Sequence, residues 1–306
     1  MASSFFRRGL SSSSAAALRP RRSALYLPGS NLRALEKART LPADVLLLDC
    51  EDAVAPDNKP LARTQIAEAI VAGGYGRREL VVRVNPLAST WGEDDVLAAA
   101  AAGAHAVLIP KAESVVEVGK VCNLLAEVCR MGNTLPPAVW CMIETPLGVL
   151  RADELAAMPQ VSCLVAGTSD LAADLRCDGQ WQQRAALLSS LSLTVLAARA
   201  HGKAVLDGVH LDLKDDAGFK TSCEQGRALG FDGKTLIHPN TLAVANETFA
   251  PSEAQVARAR HIIGAFAAAV EAGSALVVLD GKLVEELHVR EAQRLVAMAE
   301  AIESEA

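Results

Sequence analysis

The chain has 306 residues, of which 51% are hydrophobic, 22% are charged and only 4% are aromatic. This apolar content excludes a disordered protein, and the length fits one (β/α)8 barrel or two average domains. A net charge of −6 excludes nucleic acid as the main partner, because no basic face is available to neutralise phosphates.

Residues 1–22 have the composition of a targeting segment. Arginine and serine are frequent in it, and the first acidic residue of the chain is Glu36. This composition is typical of a transit peptide and predicts a location in the mitochondrial matrix. A disordered tail is the alternative. No apolar run of 18 residues follows, so the sequence predicts no transmembrane helix and no membrane partner.

Eight short apolar runs alternate with longer helical patterns after residue 23. Near-continuous apolar runs are typical of parallel strands covered on both faces. The runs lie at residues 24–28, 44–49, 80–85, 106–110, 138–144, 163–168, 204–209 and 235–239. Eight strands, each followed by a helix, predict an α/β fold, a TIM barrel over residues 23–273. A doubly wound open sheet is the alternative, but no G-x-G-x-x-G opens the first helix.

Residues 274–306 form an extension beyond the predicted barrel. Asp280 and Gly281 stand between two short apolar runs, which predicts a β-hairpin, and a helix over residues 286–303 follows. Because the extension is not needed to close a barrel, we expect it to pack on a neighbouring subunit of a homo-oligomer. A strap across its own barrel is the alternative.

Polar side chains stand at the C-terminal ends of nearly all the predicted strands, where the chemistry of such barrels lies. They are Tyr26, Asp49, Glu51, Asp52, Arg83, Asn85, Lys111, Glu144, Asp170, Asp207, His210 and His238. Glu144 and Asp170, on adjacent strands, suit Mg²⁺, which prefers one or two carboxylates together with water and substrate oxygens. Glu51 and Asp52 would then hold the waters of the metal. Alternatively, Arg83 only pairs with these two acids, and Glu144 or Asp170 only caps a helix.

A second group of residues predicts a site for an extended anion. Arg33 and Lys37 lie four residues apart on the first helix, near Tyr26 at the end of the first strand. Two cations and an aromatic ring suit the phosphates and the base of a nucleotide-containing ligand. A solvated helix face is the alternative.

These residues lie in motifs that resemble a known family. The motifs are LYLPGS, LLLDCEDAVAP, VRVNPL, LIPKAES, MIETPLGVL, GTSDLAADL, FDGKTLIHPNTL and DGKLVEELHVREAQ, which occur in this order between about residues 22 and 300. Together they are similar to the citrate lyase β-subunit-like branch of the HpcH/HpaI aldolase superfamily.

The resemblance implies a Mg²⁺-dependent lyase, usually a trimer or hexamer, that cleaves a 3-hydroxyacyl-CoA. The best candidate substrate is (3S)-citramalyl-CoA, which would yield pyruvate and acetyl-CoA. In the reverse direction, the enzyme would catalyse a condensation of the kind that malyl-CoA lyase or malate synthase catalyses. By resemblance, the metal ligands are Glu144 and Asp170, and Arg83 contacts substrate oxygens. The remaining matches are the coenzyme A contacts Tyr26, Arg33 and Lys37, and the substrate contacts Ile237 and His238.

One departure from the family concerns the hairpin. The family usually carries a catalytic aspartate there, contributed to a neighbouring active site, whereas this chain reads Leu283, Val284 and Glu285. We expect Glu285 to serve as the catalytic acid; a surface residue that has lost this role is the alternative.

Two other functions stay open at this point. One is an aldolase of the same superfamily that acts on a free keto acid without coenzyme A, against which Tyr26, Arg33 and Lys37 argue. The other is a non-catalytic assembly or regulatory subunit, against which Glu144, Asp170 and Arg83 argue.

Overall fold

The computed structural model describes residues 19–178, 184–271, 273, 277–279 and 281–304. Residues 1–18 of the predicted targeting segment and Asp280 of the predicted turn lie outside the described residues. The chain divides into two compact units, one over residues 21–249 and a C-terminal one that begins at Ala250.

The first unit contains a closed barrel of eight strands, each parallel to its neighbours. The strands are β1 (Ser23–Pro28), β2 (Val45–Asp49), β3 (Glu79–Arg83), β4 (Ala106–Ile109), β5 (Ala138–Ile143), β6 (Val161–Ala166), β7 (Ala204–Asp207) and β8 (Gly233–Leu236). Pairing of β1 with β8 closes the barrel. The prediction of a TIM barrel is therefore confirmed.

In the described part of the first unit, ten α-helices connect or follow the strands. They are α1 (Leu32–Lys37), α2 (Lys59–Ala72), α3 (Gly92–Ala102), α4 (Val115–Gly132), α5 (Pro146–Leu150), α6 (Ala152–Ala157), α7 (Thr168–Asp174), α8 (Leu188–Ala200), α9 (Asp216–Leu229) and α10 (Leu242–Phe249). Within the described ranges of the whole chain, no helix combines the length and the apolar composition needed to cross a bilayer.

Alternation along the strands sorts the buried side chains into two layers. One layer fills the barrel interior and includes Leu47, Trp140 and Val165. The other lies between the strands and the helices and includes Leu46, Cys141 and Leu164. This double burial explains why the strands read as continuous apolar runs in the sequence.

Strands β6 and β8 begin two residues earlier than predicted, and for β8 a buried ion cluster gives the reason. Lys234 in β8 is fully buried, and its Nζ donates to Asp207 Oδ2 at 2.8 Å. Arg184 Nη2 donates to Asp207 Oδ1 at 2.9 Å. Because the carboxylate compensates both cations, the strand accommodates a lysine that the sequence pattern excludes from it.

The two arginines before β1 belong to the N-terminal rim of the barrel. Arg21 donates to both carboxylate oxygens of Glu79 at 2.6 and 2.8 Å, and its guanidinium lies 5.0 Å from the centroid of the Trp140 ring. Arg22 donates to both oxygens of Asp44. The predicted targeting segment 1–22 thus ends in two residues that are bonded to the barrel.

Replacing Arg21 by alanine should lower the free energy of unfolding by about 3 kcal/mol, because buried Glu79 loses its bidentate partner. Arg151→Ala is the matched control, since Arg151 is exposed and donates to Glu113 O at 3.2 Å. We expect a loss below about 1 kcal/mol in the control. Urea denaturation measures both, and equal losses would contradict a structural role of the rim pair.

The C-terminal unit consists of two long helices and a hairpin. Helix α11 (Glu253–Glu271) packs on α12 (Glu286–Glu303), and β9 (Val277–Leu279) pairs antiparallel with β10 (Lys282–Val284). The predicted hairpin and terminal helix are confirmed. The sequence places the boundary of the barrel domain at residue 273, whereas α11 groups with α12 in the unit that begins at Ala250.

Candidate active site at the barrel mouth

Arg83 organises the acids that follow β2. Its Nε donates to Asp49 Oδ1 at 2.7 Å, and its Nη1 lies 2.9 Å from Glu51 Oε2. Asp52 Oδ2 is 3.8 Å away and is exposed. Asp49 also accepts backbone hydrogen bonds from Glu51 and Ala53, which fold the loop around it. Arg83 therefore compensates the buried acids of β2 and the loop that follows it.

Lys59 holds the same loop from its other side. Its buried Nζ donates to the backbone oxygens of Cys50 and Glu51 at 3.2 and 2.8 Å and to Asn85 Oδ1 at 2.7 Å. Asn85 Nδ2 in turn donates to Cys50 O. The loop that carries Glu51 is thus fixed by bonds to its backbone, and the Glu51 side chain stays directed at Arg83.

Glu144 is a buried carboxylate at the end of β5. Its Oε1 accepts the backbone N–H of Lys111 at 2.7 Å. Gly167 leaves room for it, since a Cβ at position 167 would lie 2.3 Å from Glu144 Cβ. Among the described residues, no cationic side chain lies within 4.0 Å of the carboxylate. Burial raises the pKa of Glu144 to about 7, against the opposing effect of the Lys111 N–H.

Asp170 lies in the first turn of α7, after β6, and is partly exposed. Lys111 Nζ lies 3.4 Å from its Oδ2 and 3.9 Å from Glu51 Oε1. The backbone of Lys111 adopts φ +46°, a left-handed conformation that costs of the order of 1 kcal/mol for a residue with a Cβ. The sequence indicates that Lys111 follows a strand, but it does not indicate a role for this residue.

The donor chemistry of the mouth fits a hard divalent cation. Five carboxylates, Asp49, Glu51, Asp52, Glu144 and Asp170, face two cations, Arg83 and Lys111. Burial likewise raises the pKa of Glu51 to about 7. Within the described residues, no group of three or more His, Cys, Asp or Glu side chains is arranged so that it could hold a metal ion. A site with two carboxylates, Glu144 and Asp170, suits Mg²⁺, because this ion takes water and substrate oxygens as its remaining ligands.

The structure places the three predicted coenzyme A contacts in different surroundings. The Tyr26 ring lies 4.8 Å from the Arg83 guanidinium, and its hydroxyl lies 3.7 Å from Met142 Sδ. Arg33 and Lys37 are exposed on α1. Tyr26 therefore lines the mouth beside Arg83, while the two cations face solvent.

The predicted substrate contacts after β8 lie at the start of a short 3₁₀ turn. Ile237 is exposed, and His238 Nδ1 accepts the backbone N–H of Asn240 at 3.2 Å. Of the polar residues grouped at the strand ends, Asp207 does not contribute to the mouth, because it is fully buried against Lys234 and Arg184.

Glu285 lies between β10 and α12 in the C-terminal unit and is exposed. Its backbone N–H donates to His288 Nδ1 at 3.0 Å, which stabilises the start of the helix. Its role as an acid stays a prediction.

The chain is similar to a known protein family, to two characterised relatives and to a solved structure. Residues 22–239 match the HpcH/HpaI aldolase/citrate lyase family. A (3S)-malyl-CoA thioesterase of Cereibacter sphaeroides is 46% identical over 92% of this chain and 96% of the relative. An L-malyl-CoA/beta-methylmalyl-CoA lyase of the same organism is 35% identical over 93% and 96%. Protein CitE of Mycobacterium tuberculosis, solved with magnesium, acetoacetate and coenzyme A, is 29% identical over 92% and 100%, with a TM-score of 0.72.

Proposed function

Because the chain belongs to the HpcH/HpaI aldolase/citrate lyase family, we propose that it is a Mg²⁺-dependent lyase that cleaves a carbon–carbon bond of a 3-hydroxyacyl-CoA. The proposed substrate is (3S)-citramalyl-CoA, and (3S)-malyl-CoA is its smaller homologue. The observation that carries the proposal is the pair Glu144 and Asp170 at the mouth, of which Glu144 lacks a cationic side-chain partner among the described residues.

Glu144 and Asp170 would hold the cation, as the relative CitE supports by its complex with magnesium. When bound, Mg²⁺ would act as a Lewis acid on the hydroxyl and carboxylate oxygens of the substrate. Glu51 and Asp52 would hold water molecules around it. The residues of the chain then have to bind the substrate oxygens and move one proton.

Arg83 is suited to stabilise the substrate hydroxyl oxygen, which becomes negatively charged during the reaction. Arginine has five N–H donors, and the contacts with Asp49 and Glu51 use three of them. The others can stabilise charge as the hydroxyl loses its proton and the carbon–carbon bond breaks. The electron pair of that bond passes to the carbon next to the thioester, giving the enolate of acetyl-CoA, while the former hydroxyl oxygen becomes the carbonyl oxygen of pyruvate. The hydroxyl proton would leave to solvent, and Glu285 in its protonated form would supply the proton that the enolate carbon gains.

Arg33 and Lys37 are proposed to bind the phosphates of coenzyme A. Replacing both by alanine should raise the KM for the acyl-CoA about tenfold and reduce its dependence on salt, because two exposed cations are lost. The double variant Lys120→Ala with Arg130→Ala removes two exposed charges from α4 and is the control. An equal KM in both double variants would favour a solvated helix face.

Thioester hydrolysis is the second candidate reaction. It is favoured by the 46% identity to the (3S)-malyl-CoA thioesterase, compared with 35% to the lyase. In this reaction water adds to the thioester carbonyl, the carbon–sulfur bond breaks, and coenzyme A leaves as a thiol. The carbon skeleton of the hydroxy acid stays intact, so the products distinguish the two reactions.

The test incubates the purified protein and Mg²⁺ with citramalyl-CoA or malyl-CoA. Carbon–carbon cleavage produces a 2-oxoacid, pyruvate or glyoxylate, without a free thiol. Hydrolysis produces a free thiol without a 2-oxoacid. Turnover of free citramalate would instead indicate an aldolase that does not use coenzyme A. No turnover of any of these substrates would overturn the proposed function and favour a non-catalytic subunit.

We further propose that the protein is a homo-oligomer, a trimer or hexamer. Light scattering after size-exclusion chromatography measures its mass, and a monomer at micromolar concentration would contradict this.

A further inference from the structure

Lys111 contacts both carboxylates that are proposed to hold the cation. Its backbone N–H donates to Glu144 Oε1 at 2.7 Å, and its Nζ lies 3.4 Å from Asp170 Oδ2. The left-handed backbone at φ +46° directs the amide towards β5. The next amide, of Ala112, donates to Met142 O at 3.1 Å, so the conformation is held from the β5 side.

The ammonium group of Lys111 also faces Glu51 Oε1 at 3.9 Å. It therefore lies near two acids that follow different strands, β2 and β6, while its own amide is bonded to the acid after β5. The side chain is about half exposed, at 46% of its free surface, so it has room to leave. Arg83, by contrast, is buried and bonded to Asp49 in bidentate fashion.

We propose that the Lys111 ammonium is the counter-charge of Asp170 in the metal-free protein and is displaced when a divalent cation binds. Lys111 then acts as a positioning residue with two roles. Its amide holds one oxygen of Glu144 and leaves the other for the cation. Its side chain keeps Asp170 near the site and competes with the cation for it, which weakens metal binding. This inference rests on the proposed function, because it takes Glu144 and Asp170 as the ligands.

Whether Lys111 weakens Mg²⁺ binding can be tested without measuring turnover. Replacing Lys111 by methionine removes a positive charge from the neighbourhood of the cation and frees Asp170. Mg²⁺ titrated calorimetrically into the metal-free variant should bind about three- to tenfold more tightly than into the wild type. The difference should shrink as salt is added, because the charge is partly exposed and therefore screened.

Thermal unfolding gives a second measurement. The metal-free Lys111→Met protein should have a lower Tm than the wild type, because its acids lose their counter-charge. Saturation with Mg²⁺ should raise its Tm by more than it raises that of the wild type. A merely structural role of Lys111 predicts the same loss of Tm with and without Mg²⁺.

Three further variants complete the design. Lys111→Arg keeps the charge and should bind Mg²⁺ within about twofold of the wild type. Lys120→Met removes an exposed lysine from α4 and should leave both measurements unchanged. Lys111→Gln should repeat the tighter binding, and it decides the question should the methionine variant not fold.

Unchanged or weaker Mg²⁺ binding in folded Lys111→Met or Lys111→Gln would overturn the competition. Loss of binding in Glu144→Gln together with unchanged binding in the Lys111 variants would contradict this inference alone. A wild-type protein that binds no Mg²⁺ would contradict the proposed metal site itself.

Discussion

Replacing Glu144 by glutamine is expected to abolish Mg²⁺-dependent turnover while leaving the protein folded. The amide can still accept the Lys111 N–H at 2.7 Å through its oxygen, so the local geometry is kept. The negative charge that would bind the cation is lost. Because a Lewis-acid metal contributes several kcal/mol to the transition state, we expect a loss of ~10³-fold or more in kcat/KM.

The same substitution should stabilise the metal-free protein at neutral and higher pH. Burial raises the pKa of Glu144 from its ordinary value of 4.5 to about 7, so ionising this group is costlier in the folded than in the unfolded state. The wild type therefore loses stability as the pH rises from about 4.5 to about 7, and it does not regain this above pH 7. The variant avoids that cost, which is up to ~3 kcal/mol.

Urea denaturation of both metal-free proteins at pH 4.5 and pH 8 measures this effect. The two stabilities should be similar at the lower pH, and the variant should be the more stable at the higher one. Glu127→Gln, an exposed substitution on α4, is the control and should change neither stability nor Mg²⁺ binding. A Glu144→Gln protein that binds Mg²⁺ as the wild type does would remove Glu144 from the metal site.

Much of this site could be predicted because parallel strands bring their C-terminal ends to one rim. Glu51, Arg83 and Asp170 lie far apart in the sequence, yet each follows or ends an apolar run that is recognisable as a strand. The ion pair between Arg83 and the acids after β2, which the sequence offers as the alternative to a functional role, is present, with Glu51 at 2.9 Å. Counting strands was sufficient to bring these residues together.

Other features depend on which face of a strand a side chain takes. Asp207 is the last residue of β7, a position from which a polar side chain is expected to reach the barrel mouth. Its side chain instead accepts a hydrogen bond from buried Lys234. Its role is set by pairing between β7 and β8, where Asp207 is opposite Lys234. The pairing could not be predicted, because β8 begins with a glycine and a lysine and an apolar pattern does not include these residues in a strand.

The conformation of Lys111 could not be predicted for a different reason. A left-handed backbone is usually indicated by glycine or asparagine, and lysine gives no such signal. What stabilises the conformation is the bond to Glu144, a residue 33 positions away in the sequence. Strained residues of this kind occur at functional sites, where the surrounding structure holds them in place.

Replacing Glu285 by glutamine is expected to reduce carbon–carbon cleavage by ~10²–10⁴-fold, the usual range for a general acid. The Glu285 side chain accepts the backbone N–H of His288 in a capping box at the start of α12, and glutamine keeps an oxygen that can do the same, so the fold should be unaffected. Glu285→Asp should stay active, because it keeps the acid and shortens it by one methylene. Glu286→Gln, the neighbouring exposed acid, is the control.

Glu285→Gln also separates the two candidate reactions. Cleavage creates an enolate whose carbon must be protonated, whereas hydrolysis of the thioester creates no such carbon. Release of free thiol should therefore be unchanged in the variant, while formation of the 2-oxoacid is lost. Equal losses of both products would indicate that Glu285 supports the substrate instead of donating a proton, and full activity would place the acid elsewhere.

Mixing two inactive proteins tests whether a neighbouring subunit supplies Glu285. We propose that exchange of subunits between Glu285→Gln and Asp170→Ala oligomers restores part of the activity. Mixed oligomers would contain some sites that combine an intact Asp170 with an intact Glu285 from another subunit. The Asp170→Ala protein mixed with Glu144→Gln is the control, because both substitutions lie after strands of the same barrel and no exchange can rebuild the pair. Recovery only in the first mixture would establish the contribution of the neighbour. Its absence, with exchange verified by differently tagged chains, would mean that each chain uses its own Glu285.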